Sequence, residues 1–526
     1  MTRLRRVRFL GVIAAVSVSA LVLSGCSFVR EVIDSYLESG GGSVVEETGS
    51  STGEEVAPEL EPYYHQSLTW TWSGTVGETT VTVPLDWADP IGETIEIAVA
   101  RSRPTGPSKG MLLINPGGPG GTGYEYGLYA AGVTYDVADN FDVIGFDPRG
   151  VGRSTPITCY TTTADRDEML YGTYDAPYGS SGWIAELTAR QADWIEACQS
   201  NTGDLLGHLD AASVARDMDV IRAVLGDDKL DYLGYSYGTY LGAMYAELFP
   251  DKVGRMVLDG AVDPSVGDLE MLATQMSGFD SALRSYLESC FGADQGDCPF
   301  SGSVDRAMSQ VRSVLEGIDA RHLTAEDGRV LDSATLGTAI ASTLYSEWSW
   351  PLLTDAFAGL ELGDPAAAFE AADAYYGRYA GYYDGNGNDI YIAVICDEGN
   401  LATDGVDLLE GLDELDREAP ALGRYMGYDD FAVLEATCTQ WPYPPATLPT
   451  SFDAAGAAPI LVIGTTNDPA TPYAQAVSLS EQLDSGVLIS YQGEGHTIYS
   501  QGVSCIDSTV DAYLIDGVVP SSDPMC

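Results

Sequence analysis

At 526 residues, 45% of them apolar, the chain has material for roughly two to four domains and a large core. Its 78 acidic side chains against 25 basic ones give a formal charge of −53, which excludes nucleic acid or an anionic membrane surface as partner of the folded part, because both need clustered Lys and Arg. With 31 Tyr and 8 Trp the chain is too rich in core-forming aromatics to be disordered.

The first 25 residues read as a signal peptide. Arg3, Arg5, Arg6 and Arg8 form a basic start, and the apolar run Phe9–Leu23 is too short to cross a bilayer comfortably. Leu23-Ser24-Gly25-Cys26 resembles a bacterial lipobox, so Cys26 is the expected lipidation site and the mature protein is expected outside the cytoplasm, anchored to the cell membrane or shed from it. Residues 26–60, rich in Gly, Ser, Thr and Glu with no sustained apolar period, are expected to form a flexible tether. Lipidation of Cys26 leaves eight cysteines, an even number that fits four disulfides in an exported protein. Pairing by sequence neighbours gives 159–198, 290–298, 396–438 and 505–526. There is no C-x-x-C, and the four histidines are dispersed, so no metal site is expected.

Residues 67–102 alternate in the β manner and read as antiparallel hairpins. Short apolar runs then recur at Met111–Ile114, Val143–Phe146, Tyr232–Tyr235, Met256–Leu258, Ile460–Ile463 and Val487–Tyr491. Such runs, separated by turn residues and helical stretches such as Ala212–Leu225, predict a mostly parallel sheet covered by helices. Residues 265–445 break the rhythm with long helical stretches, for example 271–290, 307–318 and 366–383. The expected organisation is an α/β core over 61–264 and 446–526, interrupted by a mainly helical cap over 265–445. The tyrosines of 375–391 read as packing residues.

The pattern G-x-S-x-G occurs three times, but only Gly234-Tyr235-Ser236-Tyr237-Gly238 lies between a strand and a helix. That context defines a nucleophile elbow, whose strained turn exposes the serine oxygen and aims a helix N-terminus at the reaction. Ser236 needs a base and an acid, in the chain order Ser, acid, His. His496 lies in a loop after the run Val487–Tyr491, and Asp468 follows the run Ile460–Ile463. Both are strand-end positions; Glu494 is the second choice for the acid. The oxyanion donors are expected to be the N–H of Tyr237 and one from the loop Asn115-Pro116-Gly117-Gly118-Pro119-Gly120-Gly121, with Gly118 preferred to Gly117. The chemistry needs no cofactor.

Asn115–Gly121, Phe141–Ser154, Ala215–Asp219, Gly234–Thr239, Leu258-Asp259-Gly260 and Asp468–Pro472 together resemble the secreted actinobacterial tripeptidyl aminopeptidases, α/β-hydrolases related to the prolyl aminopeptidases. A prolyl aminopeptidase normally has His in place of Asn115, so the tripeptidyl branch fits better. The resemblance covers about 70–265 and 455 to the end, and implies the triad Ser236, Asp468 and His496 with the helical insertion as a cap over the cleft. It also implies a serine exopeptidase acting on free peptide or protein N-termini and releasing short peptides, tripeptides in this branch. A buried ammonium requires a carboxylate partner; Asp397 and Glu398, beside Cys396 in the cap, are the expected partners, and Thr471 is expected near Asp468. A carboxylesterase or other acyl hydrolase would use the same machinery, and a catalytically silent peptide-binding lipoprotein is the reading from another class.

Overall fold

The computed structural model describes residues 44–48, 51–292, 298–399, 408–449, 451–521 and 523–526. The signal peptide, Cys26 and the first part of the tether lie outside the described residues. The strands are β1 (Val44–Thr48), β2 (Leu68–Ser73), β3 (Val76–Pro84), β4 (Thr94–Ser102), β5 (Met111–Asn115), β6 (Asp142–Phe146), β7 (Leu230–Tyr235) and β8 (Val253–Asp259). Then come a short ribbon, β9 (Arg378–Tyr379) and β10 (Tyr382–Tyr383), and the last two strands, β11 (Ile460–Asn467) and β12 (Gly486–Glu494).

Ten strands form one sheet in the order β1-β2-β3-β4-β6-β5-β7-β8-β11-β12. The N-terminal strands run antiparallel up to the β4–β6 pair, and from β6 to β12 every pair is parallel. The parallel strands β5 and β6 are buried along their whole length, as strands covered on both faces must be.

Helices of ten or more residues are numbered here. In the first part of the chain these are α1 (Ser181–Asn201), α2 (Ala211–Leu225) and α3 (Tyr237–Leu248). The insertion adds α4 (Asp268–Cys290), α5 (Val304–Ile318), α6 (Ser333–Leu344), α7 (Trp350–Leu362), α8 (Ala366–Tyr376), α9 (Gly387–Glu398), α10 (Leu408–Glu418) and α11 (Gly423–Cys438). The chain closes with α12 (Tyr473–Gln482) and α13 (Ser504–Asp516). Alternate strand residues face opposite ways, so the sheet builds two cores. Leu113, Ile144, Tyr232 and Val462 pack with α2 and α3 on one face, while Leu112, Val143, Leu233 and Ile463 pack with α13 on the other. A third core lies within the helical insertion, over α4 to α8, α10 and α11.

Three expectations need correction. The tether does not extend unbroken to residue 60. β1 pairs antiparallel with β2, the Thr52 N–H donates to the Ala223 carbonyl (2.9 Å), and Glu54 pairs with Arg222 (2.9 Å) and Lys252 (2.7 Å). A sheet edge recruits a strand through backbone hydrogen bonds, which need no apolar period. The helix expected over 366–383 ends at Tyr376, where Gly377 takes a left-handed cap, and the ribbon β9–β10 follows. Finally, the cap draws on an earlier part of the chain, since Tyr171, Trp183 and Leu187 join its core. The Thr437 hydroxyl of α11 donates to Gln191 of α1 (3.0 Å).

The four expected disulfides are present: Cys159–Cys198, Cys290–Cys298, Cys396–Cys438 and Cys505–Cys526. They are the mark of a protein folded outside the cytoplasm. Among the described residues no helix is long and apolar enough to cross a membrane.

Candidate active site

Ser236, Asp468 and His496, and the loop that holds Gly117 and Gly118, all follow the C-terminal ends of parallel strands, β7, β11, β12 and β5. In open α/β sheets that edge is where ligands bind. Ser236 sits at the β7–α3 turn with a positive φ of 54°. The flanking glycines are forced by sterics: a Cβ on Gly238 would lie 2.7 Å from the Asn115 carbonyl oxygen, and one on Gly234 would lie 2.7 Å from the Tyr232 ring. The turn is pinned by the Ser236 N–H donating to the Asp259 carbonyl (2.9 Å) and by the Thr239 hydroxyl donating to the Ser236 carbonyl (2.6 Å).

The imidazole of His496 is held through Nδ1 by both carboxylate oxygens of Asp468, each at 2.9 Å. Asp468 also accepts the N–H groups of Ala470 and Thr471 (2.9 Å each) and the Thr471 hydroxyl (3.1 Å), which itself lies 3.2 Å from His496 Nδ1. Burial works against a charged imidazole, but the adjoining Asp468 carboxylate outweighs it, with a smaller contribution from Asp259, and His496 titrates above its ordinary value. Its Nε2 is buried and, among the described residues, has no hydrogen-bond partner. The cap also holds this loop: the His496 N–H donates to the Tyr345 carbonyl (2.9 Å), and the Tyr345 ring stands edge-on to the imidazole. Glu494 is turned elsewhere, accepting from Ser285 (3.1 Å) and Asn467. The geometry therefore joins Asp468, and not Glu494, to the histidine.

The glycine loop rests directly on the elbow. A Cβ on Gly117 would lie 2.9 Å from Ser236 Cβ and 3.0 Å from Tyr237 N, so only glycine fits there. The Gly117 N–H is taken by the Asn115 side chain (2.9 Å). The Tyr237 N–H stands at the first position of α3, where a helix supplies no intrahelical acceptor.

Ser236, His496, Gly117, Gly118 and Tyr237 open onto one cavity of about 800 Å³, roofed by the cap. Tyr375, Tyr376 and Tyr391 line it; Tyr376 and Tyr391 also pack against the hydrophobic cores, as expected of packing residues. Sequence reasoning missed Tyr345, because no local pattern marks a cap residue that touches a loop some 150 residues away.

The two acids singled out in the cap part company. Glu398 lines the cavity; its carboxylate accepts the Tyr237 hydroxyl (2.6 Å) and the Ala211 N–H (3.1 Å). Asp397 is 0% exposed and faces the core, where it accepts the Leu209 N–H (2.8 Å). Burial, and secondarily the nearby Asp210, push its carboxyl up to about 7 against the hydrogen bond it accepts from Leu209. Asp397 is therefore withdrawn as a partner for a substrate amine. Successive helical residues point about 100° apart, so one of two adjacent acids faces inward.

This fold and site define a serine hydrolase of the α/β-hydrolase fold. The alpha/beta hydrolase fold family matches residues 110–298, and the family described as TAP-like protein matches residues 425–526. The chain is 37% identical over 465 residues to the serine protease Hip1 of Mycobacterium tuberculosis, covering 84% of this chain and 86% of the relative. It is 35% identical to carboxylesterase B of the same species, covering 85% of each chain. To the tripeptidyl aminopeptidase of Streptomyces lividans it is 32% identical, over 85% of this chain and 82% of the relative. The chain belongs to this actinobacterial tripeptidyl aminopeptidase family.

Proposed function

We propose that the protein is a serine exopeptidase that removes short peptides, tripeptides by its family resemblance, from free N-termini. The observation that carries this reading is the charge of the cavity. Among the described residues its lining includes the acids Asp332, Glu347, Asp384, Glu398 and Glu494 but, of bases other than His496, only Arg190. An acid-rich cavity suits a cationic chain end, and Glu398, one tyrosine side chain away from the elbow, is the proposed amine partner. In the proposed reaction His496 Nε2 takes the Ser236 proton as the oxygen attacks the scissile carbonyl. The Tyr237 and Gly118 N–H groups receive the oxyanion, His496 returns the proton to the leaving amine, and water hydrolyses the acyl-enzyme. Asp468 fixes the tautomer and stabilises the imidazolium. The lipid anchor at Cys26 is part of the same proposal, and would hold the enzyme on the outer face of the cell membrane. The relative named carboxylesterase B favours one second reading, an ester substrate turned over by the same residues.

The test is Glu398→Gln, which keeps an acceptor for Tyr237 and Ala211 but removes the charge. Given free-amine and N-acetylated forms of one fluorogenic tripeptide amide, the wild type is expected to cleave the free form preferentially. In the variant kcat/KM for the free form is expected to fall about 10- to 100-fold, the cost of losing a charged hydrogen bond. Equal cleavage of both forms by the wild type would reject amine recognition.

The raised proton affinity of His496 sets the pH dependence. The base works only when neutral, so kcat/KM is expected to rise with pH through a midpoint above the ordinary 6.5 of histidine. A pH profile with its midpoint below that value would contradict the role given to Asp468.

A further inference from the structure

We infer that Asp259, at the end of β8, is a positioning residue that fixes the distance between nucleophile and base; the inference rests on the roles proposed above for Ser236 and His496. Its backbone carbonyl accepts the Ser236 N–H (2.9 Å). Its side-chain Oδ2 accepts the N–H groups of Ile498 (2.9 Å) and Tyr499 (2.8 Å), two and three residues beyond His496. One residue thus ties down the elbow with its main chain and the histidine loop with its side chain. The next residue completes the seat: a Cβ on Gly260 would lie 3.1 Å from His496 Cε1 and 3.3 Å from the Thr471 hydroxyl, so the imidazole rests against bare backbone.

A purely structural role would be served more simply by a satisfied group. Asp259 is 1% exposed, and its Oδ1 is buried without a partner among the described residues. Keeping a carboxylate in that state is costly. The two backbone N–H bonds and the imidazolium that forms at His496 during turnover are what it offsets. The groups whose charges bear on it are His496 and Asp468, with the phenol of Tyr235 on β7 beside it. Burial raises its carboxyl to about 6, against the two N–H bonds and His496, which favour the charged form.

Asp259→Asn keeps an acceptor for the loop and removes the charge; Asp259→Ala removes both. Each would be compared with the wild type on the free-amine tripeptide amide and on a p-nitrophenyl ester. The expected result is a loss of kcat of up to about 100-fold, the scale of a small misplacement of reacting groups, with KM little changed. Asn should recover part of what Ala loses. In Asp259→Asn the acid limb of the kcat/KM profile should move to lower pH, because a negative charge that favours the imidazolium is gone. Wild-type kcat with an unmoved acid limb in Asp259→Asn would overturn the inference. Hydrogen exchange on the wild type gives a reading that needs no variant to fold: the amides of Ile498 and Tyr499 should be strongly protected, and rapid exchange there would also overturn it. If the wild type turns over only the ester, the exopeptidase reading fails while Asp259 is still tested, since the same serine and histidine act on both substrates.

Discussion

Ser236→Ala is expected to lower kcat by about 10⁶-fold on peptide and ester alike, the scale found when a serine hydrolase loses its nucleophile. The fold should be unaffected. Alanine keeps the Cβ that Gly117 approaches, and the turn is held by main-chain bonds at the Ser236 N–H and carbonyl, which the substitution leaves in place. Steady-state turnover with matched thermal melts checks this. A variant that melts like the wild type and keeps full turnover would remove Ser236 as the nucleophile, and would leave no reason for the strained backbone at that residue.

The second large effect separates two acids. Asp468→Asn is expected to cost about 10⁴-fold in kcat, because an amide opposite Nδ1 favours the wrong imidazole tautomer. Glu494→Gln, only two residues from the histidine in sequence, is expected to cost no more than a few-fold in kcat, because Glu494 lines the cavity but is not bonded to the histidine. Its partners Ser285 and Asn467 belong to the join between α4 and β11, and glutamine can still accept from one of them. The opposite ranking in the same assay would transfer the acid's role to Glu494.

The strained turn at Ser236 and the pairing of His496 with Asp468 were legible in the sequence because the chemistry proposed for them demands fixed local context. A serine between two glycines must follow a strand and precede a helix, and the other two groups must follow the ends of later strands. The disulfides were legible because each joins cysteines that are neighbours among the eight in the chain. What escaped was long-range. Nothing near Trp183 says that its indole belongs to the core of a cap whose remaining helices begin at Asp268. Nothing in the acidic run before Glu54 shows that this carboxylate closes a network with Arg222 and Lys252.

The pair Asp397 and Glu398 shows the same limit at finer scale. The family resemblance pointed to two acids beside a cysteine, but only the rotation of α9 decides that one faces Leu209 and the other the cavity. Asp259 was visible as part of a familiar Leu-Asp-Gly triplet. Its two bonds to the loop after His496 needed the sheet order, which sets β8 beside β11 and β11 beside β12.

The central claim is that the capped, acid-rich chamber admits a free chain end and releases short pieces from it. The most direct measurement follows by mass spectrometry the digestion of an unmodified peptide of about ten residues and of its N-acetylated twin, against the Ser236→Ala variant as background. The account predicts serine-dependent loss of successive three-residue pieces from the free N-terminus, with the C-terminal remainder intact and the acetylated twin spared. Internal fragments, or equal digestion of the acetylated peptide, would contradict it.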